Sequence, residues 1–381
     1  MVAASKPVLE LLAGRDCRHI VHPWTPSCWR ASLRVFAIFL FGSSRLMLPA
    51  YAAQVAVGGW RPSLASALRA LLRSLCFGTS VTTGIFVFHC LFRYLLGGYH
   101  GSTALFWPAF LAGLSVYIED DRRKPITAFY YYTWLLEWLF RRLSAPWPAV
   151  RSRASLTLLF TAASGALMWT LRRGDHPKDT PIFWFFRPSR RSGDIESNKG
   201  CSHQGTCWNH GLTLAAKYLA AGVALQAARH LLAQWRRPAG PGRGRGLAAL
   251  LVGALCGDNS LGLFLAAYVA LYQAVRCGLC RLRGEDRSAH ALLAGLASGA
   301  AFWLHPDLTI AFAAVTTLVQ LRVAHLCDRR LLEPVWALCL SALLHVAVLD
   351  RRHCPPGFMA LTEILAPGVV LGIHKRLFYL E

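Results

Sequence analysis

Two short stretches of the chain gather thiols and imidazoles outside its apolar runs. Cys17-x4-His22-x5-Cys28 and Cys201-x-His203-x3-Cys207 each offer two thiols and one imidazole, donor types that suit zinc. A structural zinc site takes four such ligands, so neither stretch completes one alone. Several outcomes stay open at this level. All six residues could share one metal, each set could recruit a neighbouring imidazole (His19 or His210), or the thiols could form local disulfides or remain unliganded. The spacings match no standard zinc module. Most of the other cysteines, such as Cys76, Cys90, Cys256 and Cys339, sit inside apolar runs and read as small hydrophobes.

A second set of chemistry-bearing residues lies within or beside apolar runs. His89 and Arg93 fall four apart on one helix face, and Glu137, Asp307, Glu333 and His345 are further ionisable groups in such places. Ionisable groups in hydrocarbon cost free energy unless they pair or face water, which makes them functional candidates. His89, Arg93 and Asp307 are the candidates for lining a transport path. The sequence holds no Ser-His-Asp set, paired catalytic carboxylates, phosphate loop or dinucleotide fingerprint. A non-enzymatic protein is therefore expected.

The elements that must position these residues are membrane helices. Of 381 residues, 55% are hydrophobic and 16% charged, with mean hydropathy +0.38, values too apolar for an ordinary soluble chain. Crossing a bilayer takes ~20 helical residues. Apolar stretches at 31–57, 74–98, 102–119, 125–140, 154–171, 211–235, 247–280, 289–304, 308–326 and 331–349 predict eight to ten helices that cross or lie in the membrane. The runs are continuous and do not alternate, which excludes a β-barrel. The expected fold is all-α and polytopic.

Lys+Arg is 41 against Asp+Glu 19, a net charge of +22. The bases form short clusters between apolar runs, such as Arg122-Arg123-Lys124, Arg141-Arg142, Arg172-Arg173 and Arg236-Arg237, as membrane helices are flanked. Anionic lipid headgroups are the expected partners; no nucleic-acid motif accompanies the charge. Basic residues in nearly every connection leave the positive-inside rule unable to orient the chain. Glu10, Arg15 and Asp16 near the start fit neither a secretory signal nor a transit peptide.

An internal duplication is expected. His22-Pro-Trp-Thr-Pro-Ser-Cys28-Trp29 is echoed by His203-Gln-Gly-Thr-Cys207-Trp208, each followed by an apolar helix. Two further pairs follow in the same order: Ala109-Phe-Leu-Ala-Gly113-Leu114 with Ala291-Leu-Leu-Ala-Gly295-Leu296, and Thr127-Ala128-Phe129 with Ile310-Ala311-Phe312. The predicted organisation is a Cys/His-containing segment (1–30), a first helical half (31–171), a polar linker with the second Cys/His cluster (172–210), a second helical half (211–349) and a tail (350–381). The aromatic run from Ile182 to Phe186 is expected to press into the membrane interface. Gly113, Ala291, Gly295 and Gly299 mark faces where helix backbones approach closely; Gly253 and Gly257 repeat the spacing.

The cysteine signature with Trp24, Pro26 and Ser27, the second Cys/His element, Leu261-Gly262-Leu263-Phe264-Leu265, Tyr268-Val269-Ala270-Leu271-Tyr272 and His290 to Gly295 together resemble the transmembrane protein 135 family. Its membrane core is related to a small peroxisomal membrane protein and to import-channel subunits of the mitochondrial inner membrane. The resemblance implies a chain shorter than vertebrate members, without much of their carboxyl-terminal tail. The resemblance implies a multi-pass protein of mitochondrial or peroxisomal membranes, linked to the balance of mitochondrial fission and fusion, to peroxisome organisation and to lipid handling, with division factors as partners. The competing expectation is a solute or lipid transporter built from two helical repeats.

Overall fold

Long apolar runs closed by arginines dictate long helices, and these dominate the computed structural model. It describes residues 16–58, 64–99, 105–121, 123–174, 182–188, 203, 205–235, 259–323 and 332–378. Cys201, Cys256, Gly253, Gly257 and the Arg190-Arg191, Arg236-Arg237 and Arg329-Arg330 clusters lie outside the described residues. Among the described residues there is no strand. In chain order the helices are α1 (Cys17–Ile20), α2 (Cys28–Gly58), α3 (Leu64–Leu96), α4 (Phe106–Gly113), α5 (Lys124–Leu143), α6 (Arg153–Arg173), α7 (Cys207–Trp235), α8 (Ser260–Arg283), α9 (Ser288–Gly299), α10 (Leu308–Val323), α11 (Leu332–Leu349), α12 (Pro356–Leu365) and α13 (Val369–Phe378).

Local chemistry sets several of the ends. Ser152 caps α6, its hydroxyl accepting from the Ser155 N–H, and Gly174 closes that helix in the left-handed region at φ 71°. The Arg141-Arg142 and Arg172-Arg173 clusters are the last turns of α5 and α6, where cations suit the exposed carbonyls.

Among the described residues six helices are long and apolar enough to cross a membrane: Cys28–Pro49 within α2, Ala65–Leu96 within α3, α6, Cys207–Arg229 within α7, α8 and α11. Phe106–Ile118, Ser288–Leu304 and Leu308–Val323 are shorter apolar helices. The carboxyl-terminal tail carries α12 and α13, apolar together but bent by 105°. Pro356 opens α12, and Gly368 at φ 71° turns the chain into α13. Exposed Leu33, Phe36, Leu40 and Phe41 on α2 form an outer surface suited to lipid.

The helices pack as two compact units, residues 1–145 with 327–381 and residues 146–326. These boundaries differ from those the polar breaks suggested: α6 belongs with the later helices, and α11 to α13 belong with the first. Packing partners far apart in sequence decide membership, and local composition does not carry that information. In the first unit α3 packs on α2 and α4, and α11 packs on α4 and α5. In the second, α8 packs on α7 and α9, and α6 packs on α9 and α10.

The aromatic run at 182–186 departs from its expected interfacial position. Trp184 and Phe186 are buried in the second unit, where Phe186 meets Tyr272 edge to face with ring centroids 4.9 Å apart. Phe160 stacks on Phe302 in the same core at 4.4 Å. A rigid aromatic gains more from burial among other rings than from a half-wet boundary.

Candidate metal centre

In the first unit the entry segment folds back on the two helices that follow it. α1 is one turn long, and Arg376 of α13 donates from Nε to the Ile20 carbonyl at 2.7 Å, tying the segment down. The loop after it carries the fully buried His22, whose Nδ1 donates to the Thr25 carbonyl at 2.8 Å. That bond leaves Nε2 with its lone pair free to coordinate, the usual arrangement behind a metal-bound imidazole. Nε2 lies 3.5 Å from Cys28 Sγ, and Cys28 Sγ lies 3.5 Å from Cys17 Sγ.

The fourth donor comes from α3. Cys90, buried on that helix, joins Cys17, His22 and Cys28, and the four ligand atoms all lie within 4.8 Å of one another. Zn–S bonds of about 2.3 Å and a Zn–N bond of about 2.0 Å would set tetrahedral edges near 3.8 Å between sulfurs and 3.5 Å from sulfur to nitrogen. The observed spacings are of that size. Three thiols around one imidazole exceed what a disulfide uses and match a Cys3His set.

Cys90, which the sequence pattern assigns to packing, is the fourth member of the candidate group. His19, the imidazole considered for recruitment, is exposed on α1 and stands outside this group. Burial, reinforced by hydrogen bonding and charge repulsion from Cys28, raises the Cys17 thiol above its ordinary pKa. A cation at the centre would offset that repulsion.

His203 and Cys207 of the second Cys/His stretch are joined by a thiol of their own unit, giving three donors. His203, Cys207 and Cys277 form one group, with Cys277 Sγ 3.3 Å from His203 Nε2. His210 lies flat on His203 with centroids 4.5 Å apart. A stacked ring presents its face, not its lone pair. Cys280, Asp286 and His290 form a third group, in which Asp286 is already held between Arg172 and Arg276, the latter at 2.6 Å.

The residues considered for a transport path have structural partners. His89 is buried with its ring 4.7 Å from that of Tyr99, and Arg93 pairs with Asp16 at 3.0 Å. Asp307 belongs to the second unit and caps α10, its Oδ1 accepting from the Thr309 N–H at 2.7 Å. Of the other intramembrane candidates, Glu137 pairs with Arg141 at 2.7 Å and Glu333 with Lys124 at 3.1 Å. His89 also borders a cavity of about 120 Å³ in the first unit, lined mostly by apolar residues such as Phe39, Ile85, Leu340, Phe358 and Val370.

The glycines considered for packing lie at helix contacts. A Cβ on Gly113 would stand 2.9 Å from that of Ala337, one on Gly295 would stand 2.9 Å from Gly165 Cα, and one on Gly299 would stand 2.5 Å from Thr161 Cα. Ala291 is buried on the same helix as the last two.

Six spanning-length helices with a Cys3His cluster at the entry of the first define a multi-pass helical membrane protein with a cysteine-rich amino-terminal region. The family model for the N-terminal cysteine-rich region of Transmembrane protein 135 matches residues 14–143, a stretch that contains Cys17, His22, Cys28 and Cys90. Over those residues the chain is similar to the cysteine-rich region of the transmembrane protein 135 family. No solved structure matches it.

Proposed function

We propose that this protein is a non-enzymatic organiser of mitochondrial or peroxisomal membranes whose amino-terminal region is fastened by a structural zinc ion. The observation that carries the metal part is the convergence of Cys17, His22, Cys28 and Cys90 inside the family's cysteine-rich region. Zinc there would tie the entry segment to both α2 and α3, since its ligands come from α1, the following loop and the two helices. A closed four-ligand site serves structure, because a catalytic zinc keeps a position for water.

The organelle and the role come from the family resemblance, which implies influence on mitochondrial fission and fusion, peroxisome organisation and lipid handling, through anionic lipids and division factors. The apolar lining of the cavity beside His89 supports the lipid element, since it suits a hydrocarbon chain better than a polar solute.

One experiment addresses both parts: purified wild type and Cys90→Ser are assayed for zinc, and the same tagged chains are imaged at ordinary expression. Wild type is expected to hold zinc and to reside on mitochondria or peroxisomes, with the variant losing one zinc per chain. Equal zinc in the two proteins overturns the metal reading. Residence chiefly in the plasma membrane or endoplasmic reticulum overturns the organelle reading.

A further inference from the structure

His203 and Cys207 of the second Cys/His stretch, with Cys277, occupy places like those of His22, Cys28 and Cys90 in the first group. Cys207 is the first residue of α7, as Cys28 is of α2. Cys277 stands on α8 six residues before its last, Arg283, and Cys90 stands on α3 six before Leu96. A histidine precedes each helix start, His203 before Cys207 and His22 before Cys28.

The helices that follow repeat the pattern too. α4 runs into a 3-10 turn at Leu114–Ile118 before α5, and α9 runs into one at Ala300–Leu304 before α10. A further helix lies against each of these broken elements, α11 on α4 and α6 on α9. Thiol and imidazole donors therefore recur at equivalent points of two similarly ordered helix sets.

We infer that His203, Cys207 and Cys277 form a second metal centre, taking a thiophilic divalent cation of the zinc class. The inference rests on the zinc reading of the first centre for the identity of the metal, and on the second group's own geometry for its existence. His203 Nε2 at 3.3 Å from Cys277 Sγ, with all three donor atoms within 4.8 Å of one another, gives the edges of one coordination shell. Ligands from the segment before α7, from its first turn and from α8 would pin the start of α7 to its neighbour, as Cys17, His22, Cys28 and Cys90 do for α2 and α3. The centre would thus hold the unit's entry helix in register, with its fourth coordination position left to water or a further donor.

Metal stoichiometry separates this inference from the first reading. Elemental analysis of purified full-length protein should give two zinc ions per chain for wild type, one for Cys277→Ser and one for Cys90→Ser. One ion in wild type, lost on Cys90→Ser and kept on Cys277→Ser, overturns the second centre and leaves the first. One ion lost on Cys277→Ser and kept on Cys90→Ser does the reverse. No ion in wild type overturns both.

Where Cys277→Ser does not fold, cobalt supplies the second measurement. Cys90→Ser protein loaded with Co²⁺ should show thiolate-to-metal charge-transfer absorption, and His203→Ala in that background should remove most of it. A spectrum without that band in Cys90→Ser, or one unchanged by His203→Ala, overturns the inference.

Discussion

Cys17 stands before the spanning helices, where burial and the neighbouring Cys28 keep its thiol protonated beyond the ordinary range. Zinc binds the thiolate, so its arrival must displace that proton. The sign follows directly: raising pH favours the metal-bound form, and lowering it favours the protonated, metal-free form. Without metal the dependence reverses, because a raised thiol pKa contributes stability below the unfolded value of about 9 that is lost as pH climbs through the folded one. Zinc retained against a fixed chelator should therefore fall steeply between about pH 8 and pH 6; retention flat across that interval would count against thiolate ligation. Spacing alone made Cys17, His22 and Cys28 legible, since all three sit in one polar stretch. Cys90 was not legible, because a thiol in a long apolar helix looks the same whether it packs or coordinates, and only the fold of α1 against α3 distinguishes the two.

Elements show the same division between local and distant information. Small residues at four-residue spacing marked α9 as a close-packing face, but nothing in that spacing named its partner. The partner is α6, where a Cβ on Gly295 would stand 2.9 Å from Gly165 Cα, Met168 Cβ and the Ser164 carbonyl oxygen. Two of these atoms are backbone, so the helices must separate to admit a methyl group. Gly295→Ala should destabilise the protein by about 1–3 kcal/mol, the usual range for overpacking. Gly278→Ala, on α8 with no atom within 4 Å of the added carbon, should be neutral or slightly stabilising through helix propensity. Thermal unfolding in one detergent compares the two, and equal shifts would refute the packing argument. The carboxyl-terminal stretch is helical for reasons that local sequence does not show. Its Pro355-Pro356 and Gly368 signal breaks, yet in the fold they start α12 and turn the chain into α13.

At the scale of the whole molecule, composition reported the solvent and the charge but not the arrangement. Apolar content and run length predicted a multi-pass helical protein, and six helices of spanning length agree with it. Which helices gather into which unit was hidden, because α6 and α11 each pack with elements remote in sequence. Charge leads to a separate expectation. The chain carries 41 basic against 19 acidic side chains, and among the described residues Asp16, Glu119, Asp121, Glu137, Asp286, Glu333 and Asp350 are already engaged in ion pairs with its bases. Most of the basic excess must find counterions outside the chain. Connections between membrane helices lie at headgroup level, where each arginine near an anionic surface gains about 1 kcal/mol. Arg236, Arg237, Arg243 and Arg245, in a proline- and glycine-rich connection outside the described residues, are four such charges within ten positions. A peptide spanning them should bind anionic vesicles at least tenfold more tightly than neutral ones at low salt. The preference should shrink as added salt shortens the screening length from ~30 Å at 0.01 M to ~8 Å at physiological strength. Equal binding to both vesicle types, or a preference indifferent to salt, would show that the arginines merely flank helices and that the excess charge has no lipid partner there.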